Sequence, residues 1–290
     1  MIKPLKNTYL VSADPDKYSK RESGINVDTS WNKYDWATQD GIIESVPTFV
    51  EETPRDTSKR YKTDVEISVG DKVYFHHFVV ADDMKITSGD KVYYKLPRYH
   101  MYCVVKNLNI IMLDYWVLVS PIMEKEEDII KEFGTLKLWT KTAPGEINLM
   151  GKVEHVSTAG IEQGINKGDT ILFKKDSEYK MTIEGNDYYR MELANVVAVI
   201  RDNKPFPLRD EIIVRNNSTK EQIRPSGLII PTKPAREQIE KVEAVGIQDE
   251  EEQFLVGDEV MFHHHTGSKV EYAGNKYVVL RQLEVIGAMK

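Results

Sequence analysis

The sequence predicts an all-β protein made of three tandem copies of one small β unit. Three observations carry this expectation. A Gly-Asp pair followed by alternating apolar residues occurs three times at near-constant spacing: Val69-Gly70-Asp71-Lys72-Val73-Tyr74-Phe75, Lys167-Gly168-Asp169-Thr170-Ile171-Leu172-Phe173, and Val256-Gly257-Asp258-Glu259-Val260-Met261-Phe262. An apolar run lies upstream of each pair, and a tyrosine-bearing run ending in aliphatics lies downstream, in phase with it. β-Branched and aromatic residues dominate these runs, which are punctuated by Gly, Pro and Asp.

Each element follows from local chemistry. Gly and Asp turn the chain tightly, and the alternating run after them enters a half-buried strand. The upstream runs are Ile2-Lys3-Pro4-Leu5 to Leu10-Val11, Tyr115-Trp116-Val117-Leu118-Val119, and Ile212-Ile213-Val214. The downstream runs go from Tyr102-Cys103-Val104-Val105 to Leu113, from Tyr188-Tyr189 to Ile200, and from Tyr277-Val278-Val279 to Ile286. They place the units at residues 1–113, 114–203 and 204–290. The polar, proline-marked Asp202-Asn203-Lys204-Pro205 reads as a junction. A fourth Gly-Asp, Gly89-Asp90, lacks the rest of the pattern. Two short polar stretches, 124–132 and 234–240, read as helical, and 51–68 reads as an exposed loop or hairpin.

Composition narrows the function. The chain has 290 residues, 41% of them hydrophobic, enough for real cores. A net charge of −7 argues against a nucleic-acid partner. The one cysteine, Cys103, excludes a disulfide framework and a four-cysteine zinc site, and fits a reducing compartment. No apolar run approaches the roughly 18 residues of a membrane span, and no leader-like segment opens the chain. A soluble, cytoplasmic protein without membrane attachment is the expectation.

Signatures of catalysis are missing from the sequence. It contains no Gly-x-x-x-x-Gly-Lys-[Ser/Thr], no nucleophile elbow and no His-Glu-x-x-His. Gly160-Ile161-Glu162-Gln163-Gly164 lacks the lysine and hydroxyl of a phosphate loop. His263-His264-His265 and His76-His77 follow the same strand in two units, but one strand offers two ligands at most. They read as polar strand-end residues. No catalytic residue, cofactor or metal is expected. Trp31, Tyr34 and Trp36 read as core or subunit packing, and the acidic run 249–252 as a solvated loop.

The last unit, 204–290, resembles the GroES family of co-chaperonins. Pro207-Leu208-Arg209-Asp210 is similar to the family's opening Pro-Leu-x-Asp, and Gly227-Leu228-Ile229-Ile230 sits where the family has its Gly-Ile-Val-Leu mobile loop. In the first unit, Lys3-Pro4-Leu5-Lys6-Asn7 and Gly24-Ile25-Asn26-Val27 are counterparts. In the second, Gly134-Thr135-Leu136-Lys137-Leu138 is a degenerate one. Where the family carries a roof hairpin, this chain has the short acidic stretch 246–256. The resemblance implies three GroES-like β-barrels and a homo-oligomer. It also implies a GroEL-like chaperonin ring as partner, gripped through Gly227, Leu228, Ile229, Ile230, Ile25 and Val27. From the residues alone, three aliphatics between a glycine and two prolines also fit an ordinary buried strand.

A rival reading belongs to another class. The family's rings are sevenfold, and seven is not a multiple of three. A structural or assembly protein that reuses the barrel, such as a bacteriophage virion component, therefore stands beside the co-chaperonin reading.

Overall fold

The computed structural model describes residues 3–14, 38–50, 64–123, 128–133, 136–141, 146–216, 222–223, 229–230, 237–247 and 254–289. Contacts divide the chain into two units. One holds Met1–Ser120, Glu154–Lys167 and Glu178–Leu193; the other holds Pro121–Val153, Gly168–Ser177 and Ala194–Lys290.

The all-β expectation holds. In the first unit, β1 (Thr8–Ser12), β2 (Asp40–Ser45), β3 (Lys72–Phe75), β4 (Lys85–Ser88), β5 (Lys91–Pro97), β6 (Met101–Lys106) and β7 (Asn109–Met112) form one antiparallel sheet in the order β4-β5-β1-β2-β3-β6-β7. Next in the chain come β8 (Trp116–Met123), β9 (Asp128–Phe133), β10 (Leu136–Lys141), β11 (Glu146–Val156) and β12 (Thr170–Phe173). They are followed by β13 (Tyr179–Ile183), β14 (Asn186–Glu192), β15 (Val196–Arg201) and β16 (Lys204–Phe206). The first unit has the run β13-β14-β8, and the second has β11-β12-β15-β16. The chain ends with β17 (Glu211–Arg215), β18 (Gln222–Ile223), β19 (Ile229–Ile230), β20 (Glu237–Val245), β21 (Glu259–His263), β22 (Ser268–Tyr272), β23 (Asn275–Arg281) and β24 (Val285–Met289). Six of these, all in the second unit, pair in the order β22-β23-β17-β20-β21-β24.

One pattern therefore occurs three times: β4-β5-β1, β13-β14-β8 and β22-β23-β17 on one side, and β2-β3-β6, β11-β12-β15 and β20-β21-β24 on the other. The backbone bonds repeat with it. The N–H groups of Gly70, Gly168 and Gly257 donate to Ile43, Val153 and Val242 carbonyls at 2.7, 2.7 and 2.9 Å. The carbonyls of Asp71, Asp169 and Asp258 accept from the N–H groups of those same three residues. A bulge precedes Phe75, Phe173 and Phe262 alike. The N–H groups of Arg98, Leu193 and Gln282 donate to the carbonyl just before the first strand of each set, on Asn7, Tyr115 and Asp210. Gly89, by contrast, turns the β4–β5 hairpin, where Ser88 faces Lys91.

The Gly-Asp turns need their glycines, which have φ of +92°, +92° and +102°. A Cβ at Gly257 would meet open space, so only backbone strain opposes it. Gly257→Ala is expected to cost about 1–2 kcal/mol, read by urea unfolding.

Burial on both faces explains the continuous apolar runs. In β17, Ile212 and Val214 join Val242, Val260, Phe262 and Leu280 in one core, while Ile213 packs with Leu172, Val197, Ala198 and Val279. The first unit has the same arrangement. Val73 and Phe75 face a core with Val11, Ile43 and Leu96, while Tyr74 packs with Tyr102, Cys103, Leu118 and Met181. Burial pushes the Cys103 thiol up, away from reactivity.

Two expectations are corrected. Both polar stretches expected to be helical enter strands: residues 128–132 lie in β9, and 237–240 open β20. Short length left helix propensity too weak to resist pairing of β9 with β10 and of β20 with β17 and β21. The α-helix among the described residues is one turn, Thr158–Glu162. Residues 51–63 of the expected loop, Trp31, Tyr34, Trp36 and 249–252 lie outside the described residues; 64–68 form no strand. Among the described residues no helix is long and apolar enough to cross a membrane.

Candidate partner-binding site

The expected binding loop leaves the end of β17 and returns at β20. Its base is fixed on the departing side. Arg215 pairs with Tyr277 of β23, Asn216 N–H donates to the Lys276 carbonyl at 2.8 Å, and Arg215 lies 3.3 Å from the Glu243 carboxylate. On the returning side Glu237 is in register with His263. Between them, β18 and β19 form a separate two-stranded ladder, with Gln222 opposite Ile230 and Ile223 opposite Ile229. The expected site residues Ile229 and Ile230 therefore carry strand backbone. Gly227, Leu228, Ile25 and Val27 lie outside the described residues.

The equivalent position in the second set, between β8 and β11, is also a hairpin. There β9 and β10 pair over six residues each, from Leu136 opposite Phe133 to Lys141 opposite Asp128. Leu136, Lys137 and Leu138 of the degenerate counterpart belong to it. In the first set the corresponding link holds residues 15–37, outside the described ones.

A second group of polar side chains was not foreseen as a cluster. His76 follows β3 and caps the short 3-10 turn His77–Val80, accepting the Phe78 N–H on Nδ1 at 3.2 Å; its ring stacks on His77 at 4.3 Å and lies 5.7 Å from His100. Arg190 of β14 lies over three rings in the same unit, 4.0 Å from Tyr102, 4.4 Å from Tyr179 and 5.3 Å from Trp116. Nearby, Glu184 at the β13–β14 turn meets Lys72 at 2.6 Å and the Tyr74 hydroxyl at 3.1 Å. Burial pushes the Tyr74 hydroxyl up to about 12. No local motif announces the contacts of Arg190 with Tyr102 and of Glu184 with Lys72 and Tyr74, which join residues 88 to 112 positions apart. Among the described residues no three His, Cys, Asp or Glu side chains are grouped as a metal would need.

Burial, with the positive neighbours His77, Arg190 and His100, pushes the His76 imidazole down to about 4. Unfolded His76 takes up a proton near pH 6.5, and the folded one resists it. Its contribution is complete above about pH 6.5 and is lost as pH falls toward 4. Screening of a partly exposed ring limits the effect to on the order of 1 kcal/mol. His76→Asn is expected to flatten the pH dependence of urea unfolding in that window.

Residues 204–289 match the family described as Cpn10, the chaperonin 10 Kd subunit. The co-chaperonin GroES of Hydrogenobaculum sp. is 38% identical over 92 residues, 29% of this chain and 96% of that protein. The chain belongs to the GroES family. The co-chaperonin GroES of Thermodesulfovibrio yellowstonii is 30% identical over 84 residues, 29% of this chain and 94% of the relative. That of Aquifex aeolicus is 37% identical over 92 residues, 29% of this chain and 75% of the relative. The GroES match contains the whole third set of strands, including the β18–β19 ladder. It also contains Arg209 of the Pro-Leu-x-Asp opening, which donates to the Val196 carbonyl at 2.8 Å and to Glu211 at 3.1 Å.

Proposed function

We propose that this chain is a co-chaperonin-like protein that docks on a GroEL-type chaperonin ring and assists folding without catalysing a reaction itself. The binding segment is Gly227-Leu228-Ile229-Ile230, with Ile25 and Val27 as weaker grips. The observation that carries the reading is the position of Ile229 and Ile230. They lie inside the span that matches GroES, on a small ladder separate from the six-stranded sheet. The spans 1–113, 114–203 and 204–290 are three copies of one barrel-like unit, supported by the recurring turn, bulge and strand order. The protein acts in the cytoplasm, free of membrane, nucleic acid and cofactor. The test is co-sedimentation of the full chain with a chaperonin, with and without ATP. Nucleotide-dependent capture supports the reading; no capture makes the assembly protein the better account.

Self-association is part of the same proposal. Tyr102 and Val197 hold equivalent places on β6 and β15 and are fully buried, while their counterpart on β24, Ile286, is 51% exposed. A second copy of the chain covers that face. Ile286→Lys is expected to lower the assembly's mass in sedimentation velocity, leaving the circular dichroism unchanged.

A further inference from the structure

Arg190 is only 7% exposed, yet no carboxylate of the described residues bonds it. The carboxylate acting on it, Glu192, is exposed and acts only through space. Its Nε and the hydroxyl of Tyr102, over whose ring the guanidinium lies, are both buried and meet no hydrogen-bond partner among the described residues. Burying such donors unpaired is costly, and burying an uncompensated cation more so. Packing does not require the charge. Arg190 faces Leu118 across the strands, and the residue in the same register of the third set, Val279 opposite Ile213, is aliphatic. Rings of Tyr102, Tyr179 and Trp116 lie 4.0, 4.4 and 5.3 Å from the guanidinium carbon, and none of them brings it an anionic oxygen.

We propose that the Arg190 cluster binds a small oxyanion, a phosphate or carboxylate group held by the guanidinium edge and the Tyr102 hydroxyl. An arginine edge matches the paired oxygens of either group, and the half-buried His76, within electrostatic reach of Arg190, adds a ring nitrogen. Burial first, and then the positive charge of Arg190 among its neighbours, lowers the His76 imidazole. The Arg190 cluster belongs to the first unit, and its binding does not depend on the proposed chaperonin-binding segment.

The full chain is titrated with inorganic phosphate and, separately, with acetate at constant ionic strength. Binding is read by calorimetry and by the NMR titration of His76. One saturable site is expected for at least one of the two probes, and the pair distinguishes a tetrahedral from a planar ligand. The His76 titration should move to higher pH in its presence. Arg190→Met should abolish binding, and Tyr102→Phe should weaken it about tenfold. Absence of saturable binding by both probes overturns the proposal. So does unchanged affinity in Tyr102→Phe, which decides the matter even where Arg190→Met does not fold.

Discussion

Replacing Ile229 and Ile230 together with aspartate is expected to reduce chaperonin binding at least a hundredfold while leaving the protein folded. The two carboxylates would enter an apolar groove on the partner. That costs several kcal/mol beyond the lost contacts, and about 2.7 kcal/mol already corresponds to a hundredfold. The fold should survive, because among the described residues β18 and β19 pair with each other and not with the six-stranded sheet. The same change at Ile25 and Val27 is expected to do less, since Asn26 already interrupts that apolar triplet. Weak grips act together through effective concentration, so loss of the best one exceeds its proportional share. Capture on immobilised chaperonin with nucleotide, beside circular dichroism, reads both effects. Full binding by the doubly substituted protein would end the loop mechanism.

The largest effect on stability is expected at Asp114. Its carboxylate accepts from Arg98 Nη2 at 3.0 Å and Nε at 3.3 Å, and both side chains are almost wholly inaccessible. Tyr9 completes the arrangement through a hydrogen bond to Arg98. Asp114→Asn keeps a residue that tolerates the φ of +50° there, so backbone strain does not confuse the result. It leaves the guanidinium charge buried without its partner, at a cost of about 3–5 kcal/mol. Adding Arg98→Met should recover much of that loss, because removing both charges avoids the isolated one. Denaturant unfolding of the two variants checks the sign. A double variant as weak as the single would show that packing, not charge, dominates.

The sequence makes the Gly-Asp turns legible because their positive φ strongly favours glycine, and the phase of the flanking runs follows from the turns. The doubly buried strands are legible too, as unbroken runs such as Ile212-Ile213-Val214. β20 is not. It buries Gln238 and Glu240 while Ile239 faces outward, so its alternation is inverted and a polar helix looks equally plausible. Nor does any spacing rule join Arg98 to Asp114, Lys72 to Glu184 or Arg190 to Tyr102; those pairs exist only after the sheets form. The proposed binding segment is half legible. Its apolar triplet stands out from the prolines around it, but the pairing of Ile229 with Ile223 depends on a register that composition does not encode.

Three nearly identical turn-and-bulge frames in one polypeptide create a hazard during folding, since a strand from one frame can be captured by another. The strands after the turns share little beyond their final phenylalanine: Lys-Val-Tyr-Phe, Thr-Ile-Leu-Phe and Glu-Val-Met-Phe. A capture of β12 in the place of β3 would set Leu172 where the Tyr74 hydroxyl meets Glu184, and Thr170 where Lys72 meets the same carboxylate. The mispaired frame would leave Glu184 without both contacts. Divergence among the three frames thus sets a cost of two polar contacts against this mispairing.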